Sequence, residues 1–305
     1  HKEIAELARS LEIDIAVDLT GHTAEARTDV FAMSAAPLQV NYLGYAGSMG
    51  LKYIDYLIAD HIVIPKHNIL NYTEKIVYLP NSFMVHDTQN RISKRVFTRE
   101  EVGLPVDGFV FCCFNNFYKI TPSVFSVWMK ILAKVDKSVL WLPYGNITAV
   151  NNLKKEAQKS GLDTSRLVFA PHLPLMLDHL NRLRLADLFF DTLPFNAHTT
   201  SSDALKMGLP VLTYLGDSFV GRVAASLLNS VNLPELITNS PEEYESLAIE
   251  LATNPEKMKA IKDKLASNLS TAPLYDTKLF TKNLESAYTQ MYEKYHNGLE
   301  PDHIY

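Results

Sequence analysis

The sequence predicts an open, mostly parallel α/β sheet over about residues 103–275, preceded by part of a second α/β unit. Three observations carry that expectation. Short apolar runs alternate with helical stretches of roughly 8–14 residues, the pattern of βαβ units. A chain of 305 residues has room for two domains at about 100–200 residues each. With 47% hydrophobic and 21% charged residues, it has ordinary globular composition, which excludes collagen, coiled coil and wholesale disorder.

Apolar positions Ile4, Leu7, Ala8 and Leu11 recur at helical spacing, and Ile13–Leu19 reads as a strand. A second helix and strand follow at Thr28–Met33 and Leu38–Leu43, with shorter strands at Tyr56–Ala59 and Lys75–Leu79. Gln89–Glu101 is polar, carries Arg91, Lys94, Arg95 and Arg99, and reads as a linker with one helical turn. The expected division is therefore 1–102 and 103–305. In the second part the strands are Phe109–Phe114, Ser138–Leu142, Arg166–Phe169, Ala186–Asp191 and Pro210–Leu215. Between and after them lie helices begun by Thr121-Pro122 (core face Val124, Val127, Trp128, Ile131, Val135), then Val150–Ser160, Leu177–Arg184, Thr200–Met207 and Ser218–Leu228. Ser240-Pro241-Glu242-Glu243 is a capping box, Asn254-Pro255 starts another helix, and Leu284, Ala287, Tyr288, Met291, Tyr292 and Tyr295 mark one face of the last.

Charge and cysteine content narrow the function. With 29 basic and 34 acidic residues the net charge is −5, which argues against a dedicated nucleic-acid binder. No apolar run approaches the roughly 18 residues that span a bilayer. The two cysteines, Cys112 and Cys113, are adjacent and suit neither a disulfide framework nor a metal site. These features predict a protein of a reducing, cytoplasmic compartment. The start at His1, directly entering a helix, reads as a piece of a longer polypeptide.

In such sheets ligands bind beyond the carboxyl ends of the strands, so the residues there are the candidates. The strand ending at Asp191 runs through a turn with His198 into a helix starting near Thr199-Thr200, with Asp203 one turn further in. Free amides and the helix dipole make this an anion site, the hydroxyls suit phosphate oxygens, and the carboxylate suits a ribose hydroxyl. Thr200-x-x-Asp203 equally fits a capping box, and His198 a loop histidine bonded to backbone. Lys119 follows another strand directly and can offset charge on a departing phosphate, or be a solvated loop lysine. His179 and Arg182 share a helix face (i, i+3) and suit phosphate or a base edge, or an ordinary surface helix. Arg222 lies in a small-residue helix and reads as packing. In the first part, Asp18–Thr23 and Leu43–Gly50 end strands with glycines that permit a ligand's approach or make plain turns; His22 is an acid/base candidate or structural. Gly-x-Gly-x-x-Gly, the Walker lysine, Gly-x-Ser-x-Gly and Asp-x-Asp are all absent.

With those residues assembled, the chain resembles the catalytic region of the protein O-GlcNAc transferase family, particularly bacterial members with tetratricopeptide repeats. The resemblance runs through Asp18–Thr23, Ala36–Gly47, Phe114–Pro122, Leu185–Asp203, Arg222–Ser226 and Pro301–His303. It implies a GT-B fold of two Rossmann-like lobes, the first incomplete here, and inverting transfer of GlcNAc from UDP-GlcNAc to Ser or Thr of a polypeptide acceptor, with no cofactor and no metal. Tetratricopeptide repeats are expected upstream.

Position by position, the resemblance implies that Lys119 contacts the diphosphate and Asn116 the nucleotide. It implies uridine-side contacts for His179 and Arg182, a phosphate-binding turn for His198, Thr199 and Thr200, and a ribose acceptor in Asp203. Leu43, Gly44 and Ala46 match a sugar-side loop. Pro171–Asp178 is one residue longer than the family pattern, and Leu175 or Met176 stands where a nucleotide-contacting lysine is usual. His22 and Glu6 are the candidate bases. Rival expectations are a degenerate nucleotide-binding scaffold, a SPINDLY-type O-fucosyltransferase using GDP-fucose, and a nucleotide-sugar epimerase.

Overall fold

In a computed structural model, which describes residues 1–87 and 93–305, the chain forms two parallel sheets, each in its own compact unit. Residues 89–92 of the expected linker, Arg91 among them, lie outside the described residues; its end carries one 3-10 turn, Glu100–Val102.

The first unit comprises His1–Val85, Ser218–Val220 and Asp276–Tyr305. It contains α1 (Lys2–Ser10), β1 (Ile15–Asp18), α2 (Thr28–Ala32), β2 (Leu38–Asn41), β3 (Tyr56–Ala59), β4 (Lys75–Tyr78) and, from the far end of the chain, a long helix, Thr277–His296. The four strands lie side by side in sequence order, with Ile15 opposite Leu38 and Tyr56 opposite Lys75. Strands β2 and β3 are buried throughout, as parallel strands covered on both faces must be. The long helix sets Ala287 and Met291 against Val40, Tyr42 and Ile58, with Leu284 and Tyr288 at the margin. This division differs from the expected 1–102 and 103–305: the first unit's leading segment ends at Val85, and the last helix joins it because it shares the first sheet's core.

Two predicted faces are corrected. On α1, Ile4, Leu7 and Leu11 are exposed and Ala5 is the buried residue, so its apolar stripe is not the packed face. On the last helix, Tyr292 and Tyr295 are exposed.

The second unit comprises His86–Asp217 and Gly221–Tyr275. Its elements are β5 (Val110–Cys112), α3 (Pro122–Lys134), β6 (Val139–Pro143), α4 (Ile147–Lys159), β7 (Leu167–Ala170), α5 (Met176–Arg182), β8 (Leu188–Phe190), α6 (Thr199–Lys206), β9 (Val211–Tyr214), α7 (Val223–Ser230), β10 (Ile237–Thr238), α8 (Pro241–Thr253) and α9 (Pro255–Asn268); the long helix of the first unit is α10. The strand order is β10-β9-β8-β5-β6-β7, all parallel. Sequence order therefore runs outward from the centre in both directions, the doubly wound plan whose reversal point lies between β5 and β8.

Local chemistry sets the helix starts. The Thr121 hydroxyl accepts from Val124 N–H, Ser240 from Glu243 N–H and Asn254 from Lys257 N–H, caps worth about 1 kcal/mol each. The core face of α3 is Phe125, Trp128, Met129, Ile131 and Leu132; Val124 and Val127, expected in the core, instead line a cavity of about 280 Å³. The expected helix Ser218–Leu228 is a 3-10 turn, Phe219–Gly221, followed by α7. Strand β10, two residues long, was too short for periodicity to reveal.

Candidate functional site

The reversal point places two loops side by side. Strands β5 and β8 are hydrogen-bonded neighbours, with Cys112 opposite Phe189. The loop after β5 carries Asn115 and Lys119; the loop after β8 runs from Asp191 to His198. Buried Asn115 donates from Nδ2 to Thr192 Oγ1 at 2.7 Å, and Thr192 Oγ1 donates to the Phe195 carbonyl at 2.7 Å. Lys119 Nζ donates to the Asn196 carbonyl at 2.8 Å and lies 4.0 Å from the centre of the Phe195 ring. Partial burial lowers the Lys119 pKa, and the nearby Asp191 opposes that shift.

A buried polar network shapes the turn from beneath. Asp191 Oδ1 accepts from Ala197 N–H at 2.6 Å, and Oδ2 accepts from the Thr213 hydroxyl at 2.7 Å. Burial pushes Asp191 up to about 7, against the lowering effect of those hydrogen bonds. Asn196 donates to the Thr192 carbonyl and accepts from Ala224 N–H at the start of α7. Arg222, just before α7, donates to the Gly216 carbonyl at 2.9 Å.

The turn delivers His198 as the residue before α6, and no side chain caps that helix. The alternative capping box Thr200-x-x-Asp203 is thus not formed. Thr199 and Thr200 supply the first two amides of α6, which have no acceptor within the helix. His198 stacks on Phe195 with ring centres 5.1 Å apart. One turn on, Asp203 is mostly buried, with Oδ1 3.8 Å from His86 Nε2. Burial raises Asp203 to about 6 and lowers His86 to about 4; His86 Nδ1 meets Ser202 Oγ at 2.8 Å.

On the other side of β5 lie His179 and Arg182 of α5. Arg182 is 4% exposed, far from an ordinary surface arginine. It donates to the Pro171 carbonyl and to His179 Nδ1 and lies over the Phe114 and Trp141 rings, while its buried Nε has no partner. Burial, then the Arg182 charge, lowers His179 to about 4. Phe114, the second residue after β5, is shared by this pair, and Lys119 leaves the same strand five residues later. Asn116 is exposed and begins the 3-10 turn Phe117–Lys119.

In the first unit, the loops after β1 and β2 interlock. His22 Nε2 donates to the Met49 carbonyl at 2.9 Å, and a Cβ on Gly44 would lie 2.0 Å from the Leu19 carbonyl oxygen. Leu43 holds a φ of 67°, which strains a non-glycine residue, and its side chain is exposed; Ala46 is half-buried. Glu6 is exposed on α1 and pairs with Lys2.

Five residues of the second unit's site escaped sequence reasoning: His86, Asn115, Asp191, Phe195 and Asn196. Asp191 and Asn196 lie within the flagged segment, but nothing local shows that their side chains turn inward. Among the described residues no three His, Cys, Asp or Glu side chains come together as a metal cluster would require, and no helix is long and apolar enough to cross a membrane.

Two parallel α/β sheets, one of them doubly wound with an ammonium bound to the loop that leads into an uncapped helix at its reversal point, are the architecture of the GT-B glycosyltransferase class. The profile of glycosyl transferase family 41 matches residues 1–96 and 88–284, and the chain belongs to that family. It is 36% identical to the Arabidopsis thaliana probable UDP-N-acetylglucosamine--peptide N-acetylglucosaminyltransferase SEC over 99% of this chain and 31% of that protein. A lysine-to-methionine mutant of the Thermobaculum terrenum O-GlcNAc transferase superposes with a TM-score of 0.87 at 31% identity, covering 95% of this chain and 55% of that one. Anabaena HepE in complex with UDP shares the fold, with a TM-score of 0.62 at 14% identity over 94% of this chain and 81% of that one. The chain spans about a third of the length of the curated relatives it matches.

Proposed function

We propose that the second unit binds a UDP-sugar, most simply UDP-GlcNAc, and that the protein to which this chain belongs transfers the sugar to Ser or Thr hydroxyls of polypeptides with inversion. The diphosphate rests on the Thr199 and Thr200 amides and the Lys119 ammonium, the ribose on Asp203, and the uracil beside His179 and Arg182. The acceptor oxygen attacks the anomeric carbon as the bond to the β-phosphate oxygen breaks. UDP leaves with the electron pair, and Lys119 and the α6 dipole stabilise its growing charge. The hydroxyl proton passes to a general base. This scheme needs no metal, because the charge is met by amides and side-chain cations.

The observation that carries the proposal is the hydrogen bond from Lys119 to Asn196, two residues before His198. It brings a cation from the loop after one strand to the loop that leads into the helix after another. The relatives' names support the donor and acceptor classes. The test is thermal and chemical denaturation with UDP, UDP-GlcNAc and GDP-fucose. A ligand at 100 times its Kd adds about 2.7 kcal/mol. Stabilisation by UDP and UDP-GlcNAc is expected; stabilisation by GDP-fucose alone, or by none, overturns the donor assignment. Release of UDP with a peptide acceptor separates a transferase from a nucleotide-binding scaffold, and conversion of free UDP-GlcNAc without peptide selects an epimerase.

A further inference from the structure

We propose that Phe195 is the positioning residue of the diphosphate site, its ring fixing both the Lys119 ammonium and the His198 ring; this rests on the nucleotide reading above. Lys119 Nζ lies 4.0 Å from the ring centre, well inside the range where an ammonium is drawn to an aromatic face. His198 stacks on the same ring at an interplanar angle of 24°. The exposed ring of Tyr118 approaches it edge-on at 6.5 Å. Phe195 is thus one of the side chains at which the loop after β5 and the loop after β8 meet.

Its own position is held independently of its ring. The Phe195 carbonyl accepts from Thr192 Oγ1, which in turn accepts from Asn115 Nδ2. The following residue supplies the carbonyl that binds Nζ. An ammonium has three N–H donors. One goes to Asn196 and the ring takes the electrostatic attraction, so donors remain for phosphate oxygens. A lysine stem has four rotatable carbons, and holding its head beforehand lowers the ordering cost of binding. Burial already disfavours the ammonium here, and a π face offsets part of that cost without supplying a competing anion.

The test measures UDP and uridine binding by calorimetry on the 305-residue chain. Phe195→Leu should weaken UDP by about 3- to 30-fold and leave uridine unchanged, while Phe195→Tyr stays near the parent. Stepwise fluorination of the ring at position 195 separates positioning from packing, since fluorine drains the face of negative charge while nearly preserving shape. UDP affinity that falls with each added fluorine, at constant thermal stability, supports the proposal. UDP affinity that is flat across the fluorinated series overturns it, even if Phe195→Leu binds poorly, because only packing would then be involved. Absence of UDP binding in the unsubstituted chain overturns the nucleotide reading itself, and this inference with it.

Discussion

Lys119 and Asn196 are joined by a 2.8 Å hydrogen bond across 77 residues of sequence, side-chain ammonium to main-chain carbonyl. The bond spans the reversal point of the second sheet, from the loop after β5 to the loop after β8. A carbonyl is a weak partner for a half-buried cation. It holds the ammonium without neutralising it, which suits a group meant to meet an anion.

Lys119→Met should therefore separate binding from folding. Removing the ammonium leaves one carbonyl short of a donor, a cost of about 1 kcal/mol. The expected result is a fold unchanged by circular dichroism and UDP affinity reduced at least about tenfold. Under the proposed transfer reaction, turnover of the longer protein should fall by about 10²–10³. Unaltered UDP affinity would remove Lys119 from the site.

Thr213→Val tests the support beneath the turn. The substitution keeps the shape and takes the hydroxyl away from Asp191 Oδ2. Stability should drop by about 1–3 kcal/mol in chemical denaturation, because a buried carboxylate oxygen loses its donor.

Asp191 should impose a pH dependence of one sign. Its folded pKa, about 7, lies above the ordinary carboxylate value of 3.8. Its stabilising contribution is whole below about pH 4 and is lost as pH rises through 7. Asp191→Asn removes that slope, so parent and variant stabilities should converge or cross between pH 5 and pH 8, the parent losing ground by about 2–4 kcal/mol. Parallel curves across that interval would contradict a buried, reluctant carboxyl.

His179 should impose the opposite sign. Its folded pKa, about 4, lies below the ordinary 6.5. The contribution is whole above 6.5 and lost as pH falls toward 4, amounting to at most about 3 kcal/mol. His179→Gln should flatten the acid limb of a stability curve measured between pH 4 and pH 7, and an unchanged limb would disprove the burial argument.

Gly44→Ala should destabilise the first unit. The added Cβ would meet the Leu19 carbonyl oxygen at 2.0 Å and Thr20 Cα at 2.9 Å, both backbone atoms that cannot swing aside. A loss of more than about 2 kcal/mol is expected. A stable Gly44→Ala would show that the loops after β1 and β2 can separate at little cost.

Much of the fold was legible because alternation of strands and helices and the caps at Thr121, Ser240 and Asn254 depend on residues a few positions apart. The candidate rim was legible for a related reason: Lys119 and His198 lie in the loops that follow strands, and in a doubly wound sheet such loops meet at the reversal point. What failed were choices between neighbours. Asn115 was passed over beside Asn116, yet its side chain bonds across the two loops, a question of which residue faces inward where the strand ends. Phe125, Met129 and Leu132, rather than Val124 and Val127, face the core, because several faces of an apolar helix satisfy the same spacing.

Residue order alone therefore determined the α/β class, the parallel strands and the segments at whose ends a phosphate site would form, since these follow from short-range periodicity and turn chemistry. Tertiary structure alone decided that α10 completes the first sheet's core, that α1 leaves its leucines in solvent, and that Asp191, Asn196 and Phe195 organise the turn. Those outcomes depend on which groups lose water together, and desolvation is a property of neighbours in space, whether close or distant along the chain.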